Sequence, residues 1–348
     1  MADASSVLRV GVVGAGAFGR NHARVYRELQ ADPSQRVDLV GIADLDYARA
    51  QALAHEFGTQ AFSSVDELVA AGAQAASVAV PTVRHLEVAR RLMENGIDVL
   101  VEKPLASSLA EADELIGIAR RCGRIAQAGH LERFNPAVRA TLPLLTQPMF
   151  FEVHRLSVFT PRSLDVDVIL DLMIHDLDVV LSFVRSPVKE LRAVGLPILS
   201  SKVDIANVRM EFESGCVANF TASRVSTERI RKLRFFQPHQ YVSLDFSRQD
   251  VLVLTVQELG AESRDIDPFN PASVAASAFP GITPFKPKVE TQEPLQAELS
   301  SFLRAVRERS TPEVTLEDGR RALAAAMQIV EAIAEHSRRT GLMELTRG

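Results

Sequence analysis

Cysteine is scarce in this sequence. The two present, Cys122 and Cys216, lie far apart and outside any C-x-x-C or Cys/His spacing, so neither a zinc site nor a redox pair is signalled and no metal is expected. Two isolated thiols fit reduced structural cysteines in a reducing compartment. Long apolar runs are also missing: none approaches the ~18 to 20 residues that would span a bilayer. The opening MADASSVLRV has neither the basic region nor the apolar stretch of a signal peptide, and a cytoplasmic protein is expected. Neither sign of charge dominates, with 39 Lys and Arg against 44 Asp and Glu and a net charge of -5. A dedicated nucleic-acid binder needs a basic footprint, so that function class is set aside. What is present is an ordinary globular composition, 47% hydrophobic and 24% charged, in 348 residues. At roughly 150 residues per domain this length predicts two domains, each able to bury its own core.

From Leu8 onward, short apolar runs alternate with amphipathic stretches of helix length, the βαβ rhythm of a parallel sheet. The runs are Leu8 to Val13, Val37 to Ala43, Ala75 to Val80, Ile97 to Val101 and Arg124 to Ala128. They are nearly unbroken rather than alternating, as strands covered on both faces should be. Helices are expected over His22 to Gln30, Leu45 to Phe57, His85 to Asn95 and Leu109 to Cys122, with Gly96 and Gly123 as stops. This doubly wound domain should cover 1–128. In 129–348 the rhythm changes to a long apolar helix, Val166 to Val184, and then period-two strands from Glu190 to Val256. These predict a mostly antiparallel, helix-backed sheet, an α/β second domain. Gly260 to Thr291 reads as a long surface loop, and two helices, Pro294 to Arg309 and Leu316 to Arg338, finish the chain.

Directly after the first strand stands Gly14-Ala15-Gly16-Ala17-Phe18-Gly19, a G-x-G-x-x-G that opens a helix. Gly14 permits the tight turn, Gly16 lets a pyrophosphate approach the backbone, and Gly19 lets helix and strand pack closely. The phosphates would rest on the free N-H groups of the helix N-terminus. The second strand ends at Asp44, where a carboxylate accepts from both ribose hydroxyls and repels a 2'-phosphate, favouring NAD over NADP. The rival role for Asp44, capping the next helix, is equally open to Asp46. Strand ends at Val80-Pro81-Thr82 and at Glu102-Lys103-Pro104 fall where doubly wound sheets bind ligands. A lysine emerging there can stabilise a developing alkoxide, although a solvated loop lysine is the commoner case.

In the apolar helix VILDLMIHDLDVVL, Asp171, His175 and Asp178 follow spacings of four and three, which puts them within about a 60° arc. Buried polar groups need partners, and an Asp four residues away can orient a histidine whose pKa suits proton transfer near neutrality. Asp176 points elsewhere and reads as a solvated or capping charge.

Taken together, G-A-G-A-F-G at Gly14, A-D-L-D at Ala43, V-P-T with His85 three residues on, E-K-P at Glu102, G-H-L-E-R-F-N-P at Gly129 and D-L-M-I-H-D-L-D at Asp171 resemble the Gfo/Idh/MocA oxidoreductases over nearly the whole chain. The resemblance implies a Rossmann domain joined to an α/β domain with a large open sheet, NAD(H) or NADP(H), a sugar or polyol substrate and a homodimer or homotetramer. It assigns Lys103 and His175 as the catalytic pair with Asp171 in support. Gly14, Gly16, Ala17, Phe18, Gly19, Asp44, Pro81, Thr82, His85, Glu102 and Lys103 become the cofactor contacts, and Lys103-Pro104 a cis peptide. Many members carry Gly where this chain has Met173, which would reshape the pocket beside the histidine.

Within the family, GHLERFNPAVR, FTPRS and ANFTASRVS look most like the nucleotide-sugar branch, whose members oxidise the 3-hydroxyl of UDP-N-acetylglucosamine ahead of transamination to a 3-amino sugar of lipid A or surface polysaccharide. A diphosphate in the substrate calls for cations. Five basic residues between Arg224 and Arg234, together with Arg162, are the candidates, with Asp178 as a further substrate contact. A solvated turn explains the same basic cluster equally well. Two rival functions stand beside this one: an inositol or free-sugar dehydrogenase, and a dinucleotide-binding sensor without turnover.

Overall fold

The computed structural model describes residues 7–160, 166–256 and 281–341, which group into two compact units, Met1–Phe134 with Gln292–Ala325 and Asn135–Thr291 with Ala326–Gly348. The single break expected at 128/129 is therefore drawn differently. The segment 292–325 returns to the first unit because Leu299, Phe302, Leu303 and Val306 share one core with Leu8, Val10, Val25 and Tyr26.

The first unit runs β1 (Leu8–Val13), α1 (Ala17–Ala31), β2 (Val37–Ala43), α2 (Tyr47–Phe57), β3 (Gln60–Phe62), α3 (Val65–Ala70), β4 (Ala75–Val78), α4 (His85–Glu94), β5 (Asp98–Glu102), α5 (Leu109–Cys122) and β6 (Ala126–Gly129), and takes back the helix Pro294–Glu308. Its six strands are all parallel, in the order β3-β2-β1-β4-β5-β6. That is the Rossmann order, and its direction reverses between β1 and β4, the crevice in which such sheets bind ligands. Asp46, Ser64 and Ser108 cap the N-termini of α2, α3 and α5.

The second unit contains α6 (Pro136–Thr141), β7 (Phe150–Val158), a π-helical turn at Ile169–Met173 that leads into α7 (Ile174–Val184), and β8 (Val188–Leu196), β9 (Ile205–Phe212), β10 (Val217–Ser226), β11 (Ile230–Gln237), β12 (Gln240–Asp245), β13 (Asp250–Val256) and β14 (Ile282–Phe285). Its sheet order is β14-β13-β12-β11-β7-β10-β9-β8. All pairings are antiparallel except β7 with β10, so β7 sits centrally and interrupts the expected meander. Alternation does the packing. Phe151, Val153, Phe220, Leu233 and Phe235 are buried on one face, and Phe183 of α7 meets the rings of Phe151 and Phe235. The loop expected over Gly260 to Thr291 lies outside the described residues up to 280; beyond that point Ile282–Phe285 forms an edge strand. No described helix is long and apolar enough to cross a membrane.

Candidate active site

The glycine-rich turn follows from backbone geometry. Gly14 has φ +106°, and a Cβ there would lie 2.4 Å from the Ala79 carbonyl oxygen of the neighbouring strand end. A Cβ on Gly19 would lie 1.7 Å from the Gly14 oxygen. Side chains at either position would force α1 away from the sheet. Gly16 is different: a Cβ on it would meet nothing within 4 Å, because it faces open space. Gly16 is also the residue before α1, whose N-terminus has no side-chain cap and no acidic residue in its first turn. These free N-H groups make a cradle for an anion.

Gly14, Gly16, Asp44 and Pro81 all line one cleft of about 960 Å³ in the first unit, at the carboxyl ends of β1, β2 and β4. Asp44 accepts from Ala15 N-H at 2.6 Å and from Asp46 N-H at 2.8 Å, which pins the turn to the end of β2. A carboxylate has about four acceptor sites, so two remain for hydroxyl donors. Helix capping falls to Asp46, whose side chain accepts from Arg49 N-H. The residues present thus fit a dinucleotide.

Lys103 follows β5 directly, and the Lys103-Pro104 bond is cis. Its Nζ lies 6.0 Å from the ring centroid of Phe18, an exposed residue of the first turn of α1. Two other residues expected to touch the cofactor make hydrogen bonds within the protein. His85 is buried, with Nε2 3.0 Å from the Val80 oxygen and Nδ1 3.3 Å from the Leu105 oxygen, so it ties the loop after β4 to the loop after β5. Burial lowers the pKa of this imidazole, with partial opposition from the carbonyls. Glu102 is buried as well, and its Oε1 accepts from His22 Nε2 at 2.8 Å. Ala17, Phe18, Gly19 and Thr82 stand at the starts of α1 and of the helical turn before α4.

In the second unit, Asp171 lies in the π-turn and His175 in the first turn of α7, both half-buried. Such turns insert a residue into a helix and recur at functional sites. Asp178 and Met173 are buried.

Asp176 corrects the expectation of a solvated or capping charge: it is buried and takes a two-pronged ion pair from Arg155 of β7, with Nε-Oδ2 2.8 Å and Nη2-Oδ1 2.7 Å. Arg155 also stacks on Phe246, 5.3 Å from the ring centroid. Sequence reasoning missed Arg155 and His22. The latter carried a signal, since it shares the buried face of α1 with Gly19, Ala23 and Tyr26.

The basic cluster proves to be dispersed. Arg224 is buried, donates to the Val166 oxygen and lies 3.7 Å from Asp204. Arg234 pairs with Glu152 at 3.2 Å and Lys232 approaches Asp245 at 4.0 Å, while Arg229 is exposed in the β10-β11 turn. Arg162 lies outside the described residues. Among the described residues no cluster of His, Cys, Asp and Glu could hold a metal ion.

Residues 8–130 match the Gfo/Idh/MocA oxidoreductase family, NAD-binding Rossmann fold, and residues 148–236 match the C-terminal domain of the same family. The chain belongs to the Gfo/Idh/MocA family. It is an NAD(P)-dependent dehydrogenase with an NAD-binding Rossmann domain. Among its relatives, UDP-N-acetylglucosamine 3-dehydrogenase of Acidithiobacillus ferrooxidans is 35% identical over 94% of this chain and 97% of its own length. A solved structure of that enzyme superposes with a TM-score of 0.83 over 94% of this chain and 97% of that one. The scyllo-inositol 2-dehydrogenase of Bacillus subtilis is 27% identical over 63% of this chain and 68% of its own. Levoglucosan dehydrogenase, at 17% identity and a TM-score of 0.79 over 94% of this chain and 97% of that one, shares the fold.

Proposed function

We propose that this member of the family oxidises the 3-hydroxyl of UDP-N-acetylglucosamine with NAD, a step toward a 3-amino sugar of lipid A or surface polysaccharide. The observation that carries the reading is the 35% identity, over 94% of the chain, to an enzyme named for that reaction. Gly14, Gly16, Gly19 and the N-terminus of α1 hold the dinucleotide phosphates, and Asp44 holds the adenosine ribose. The bound nicotinamide supplies the acceptor for the hydride. His175 takes the proton of the sugar hydroxyl, Lys103 steadies the alkoxide with its positive charge, and Asp171, four residues before His175, orients the imidazole. The reading is tested by absorbance at the reduced-nicotinamide band, with UDP-N-acetylglucosamine and with myo-inositol in separate cuvettes. Turnover of the nucleotide sugar is expected. Turnover of myo-inositol alone would move the reading to the inositol dehydrogenases, and none with any sugar to a sensor.

Cofactor choice follows from Asp44. NAD is expected to outperform NADP, and Asp44→Ala to weaken NAD by about 10- to 100-fold, the loss of one or two hydrogen bonds to a charged group. Steady-state kinetics with both cofactors checks this, and a wild-type preference for NADP would defeat it.

Self-association as a homodimer or homotetramer belongs to the same proposal. On the sheet face opposite the buried one, Phe236 is 38% exposed and meets Phe150 and Tyr241 at ring distances of 5.7 and 5.2 Å, an apolar patch that a second copy could cover. Sedimentation is expected to show a dimer or larger, and a monomer would remove this part. A cytoplasmic setting completes it, supported by free Cys122 and Cys216, the latter with its thiol pushed up to about 11 by burial.

A further inference from the structure

A buried chain of polar groups leads to Glu102, the residue before Lys103. Glu102, the last residue of β5, has Oε1 2.8 Å from His22 Nε2 and Oε2 3.3 Å from the backbone N-H of Lys103. His22 Nδ1 lies 2.9 Å from Ser77 Oγ, and Ser77 Oγ lies 2.8 Å from the Tyr26 hydroxyl. His22, Ser77 and Tyr26 are 0% exposed and Glu102 is 4% exposed.

An ionised carboxylate only accepts, so His22 Nε2 donates to Glu102, and the other ring nitrogen and the Ser77 and Tyr26 hydroxyls continue the chain. Every member is satisfied, and the chain ends on the carboxylate next to Lys103.

A carboxylate buried to this degree is costly unless it is paired. Burial alone would push its pKa up, but the hydrogen bond and electrostatics of His22 and the charge of Lys103 outweigh burial and hold Glu102 below the usual range. Among the described residues, the other titratable groups facing the chain are His85, which feels Glu102 from the start of α4, and Glu298 of the helix Pro294–Glu308, which faces Tyr26.

We propose that His22 and Glu102 form a positioning pair for Lys103: His22 holds the Glu102 carboxylate at the end of β5, and that carboxylate fixes the lysine in place and in its charged form. His85 Nδ1 lies 3.3 Å from the carbonyl oxygen of Leu105, two residues beyond Lys103. Electrostatic attraction is reciprocal, so the negative charge that Lys103 favours on Glu102 favours in turn the proton on Lys103. The inference rests on the reading of Lys103 as a catalytic residue.

The test measures Lys103 directly. With NADH bound, competitive acetylation across a pH series, read by peptide mass spectrometry, gives the midpoint at which the Lys103 amine loses its proton. In Glu102→Gln, which keeps the side-chain shape and removes the charge, the midpoint should fall by about one pH unit or more. In His22→Leu, where an unpaired buried Glu102 takes up a proton, it should also fall. His22→Gln restores a donor to Glu102 and should lie close to wild type. NADH fluorescence titration and melting temperature report whether each variant is folded; should His22→Leu fail to fold, Glu102→Gln carries the test. An unchanged midpoint in folded Glu102→Gln overturns the proposal.

A kinetic cycle on UDP-N-acetylglucosamine oxidation separates this outcome from failure of the functional reading. Glu102→Gln should lower kcat by about tenfold in the wild-type background and add little to Lys103→Ala, because a residue that acts through another contributes nothing once that one is gone. Additive losses overturn the positioning role while leaving Lys103 catalytic. Full turnover by Lys103→Ala overturns the catalytic reading instead, and the labelling midpoints still decide the pair.

Discussion

Lys103→Ala and His175→Ala are each expected to lower kcat by about a hundredfold or more, the usual loss when a charge stabiliser or a general base is removed. NADH affinity should be largely kept, because the cleft proposed for the dinucleotide is lined by Gly14, Gly16, Asp44 and Pro81, and neither of the two lines it. The two variants should differ in pH behaviour. Loss of the base removes the acid limb of the kcat/KM profile, whereas loss of the lysine leaves that limb in place. A variant that retains wild-type turnover with the chemical step rate-limiting would strip that residue of its role. Asp171→Ala should fall between wild type and His175→Ala, since an orienting carboxylate acts only through the imidazole.

The largest stability effect is expected at Arg155. Its guanidinium and the Asp176 carboxylate are 4% and 3% exposed, and the two bonds between them leave neither charge alone. Arg155→Ala would remove the two-pronged cationic partner of a buried carboxylate, a loss of about 3–5 kcal/mol when a buried pair is broken. Urea unfolding followed by tryptophan-independent signals such as far-UV circular dichroism should show a lowered midpoint of that order. Replacing both partners by apolar residues, as in Arg155→Met with Asp176→Leu, should recover most of the loss, because neither buried charge of the pair then remains. A shift below about 0.5 kcal/mol for Arg155→Ala, the range of ordinary surface changes, would contradict a buried pair.

That pair also shows where reading from sequence stops. The Rossmann half was legible because parallel strands covered on both faces are written as unbroken apolar runs, and the glycine turn has fixed spacing. The three-residue β3 and the six-residue α3 are too short to carry a period. β7 was missed for a different reason: its buried positions are Phe151, Val153 and Arg155, and the arginine breaks the apolar alternation that would have marked a strand. Asp176 was misplaced for the same cause, since the partner that permits its burial lies 21 residues earlier on that unrecognised strand. The basic residues from Arg224 to Arg234 read as one cluster because clustering of charge along the chain says nothing of the faces onto which a strand and a turn distribute it. The protein partners of Glu102 and His85, on α1 and in the loops after β4 and β5, are specified by tertiary contacts that their motifs do not show.

The central claim, hydride removal from C3 of a nucleotide sugar, is tested most directly with UDP-N-acetylglucosamine deuterated at C3. Incubation with NAD should yield NADH one mass unit heavier and a 3-keto sugar without the label. Unlabelled NADH from the deuterated substrate, or deuterium transfer from labelled myo-inositol in its place, would contradict the account.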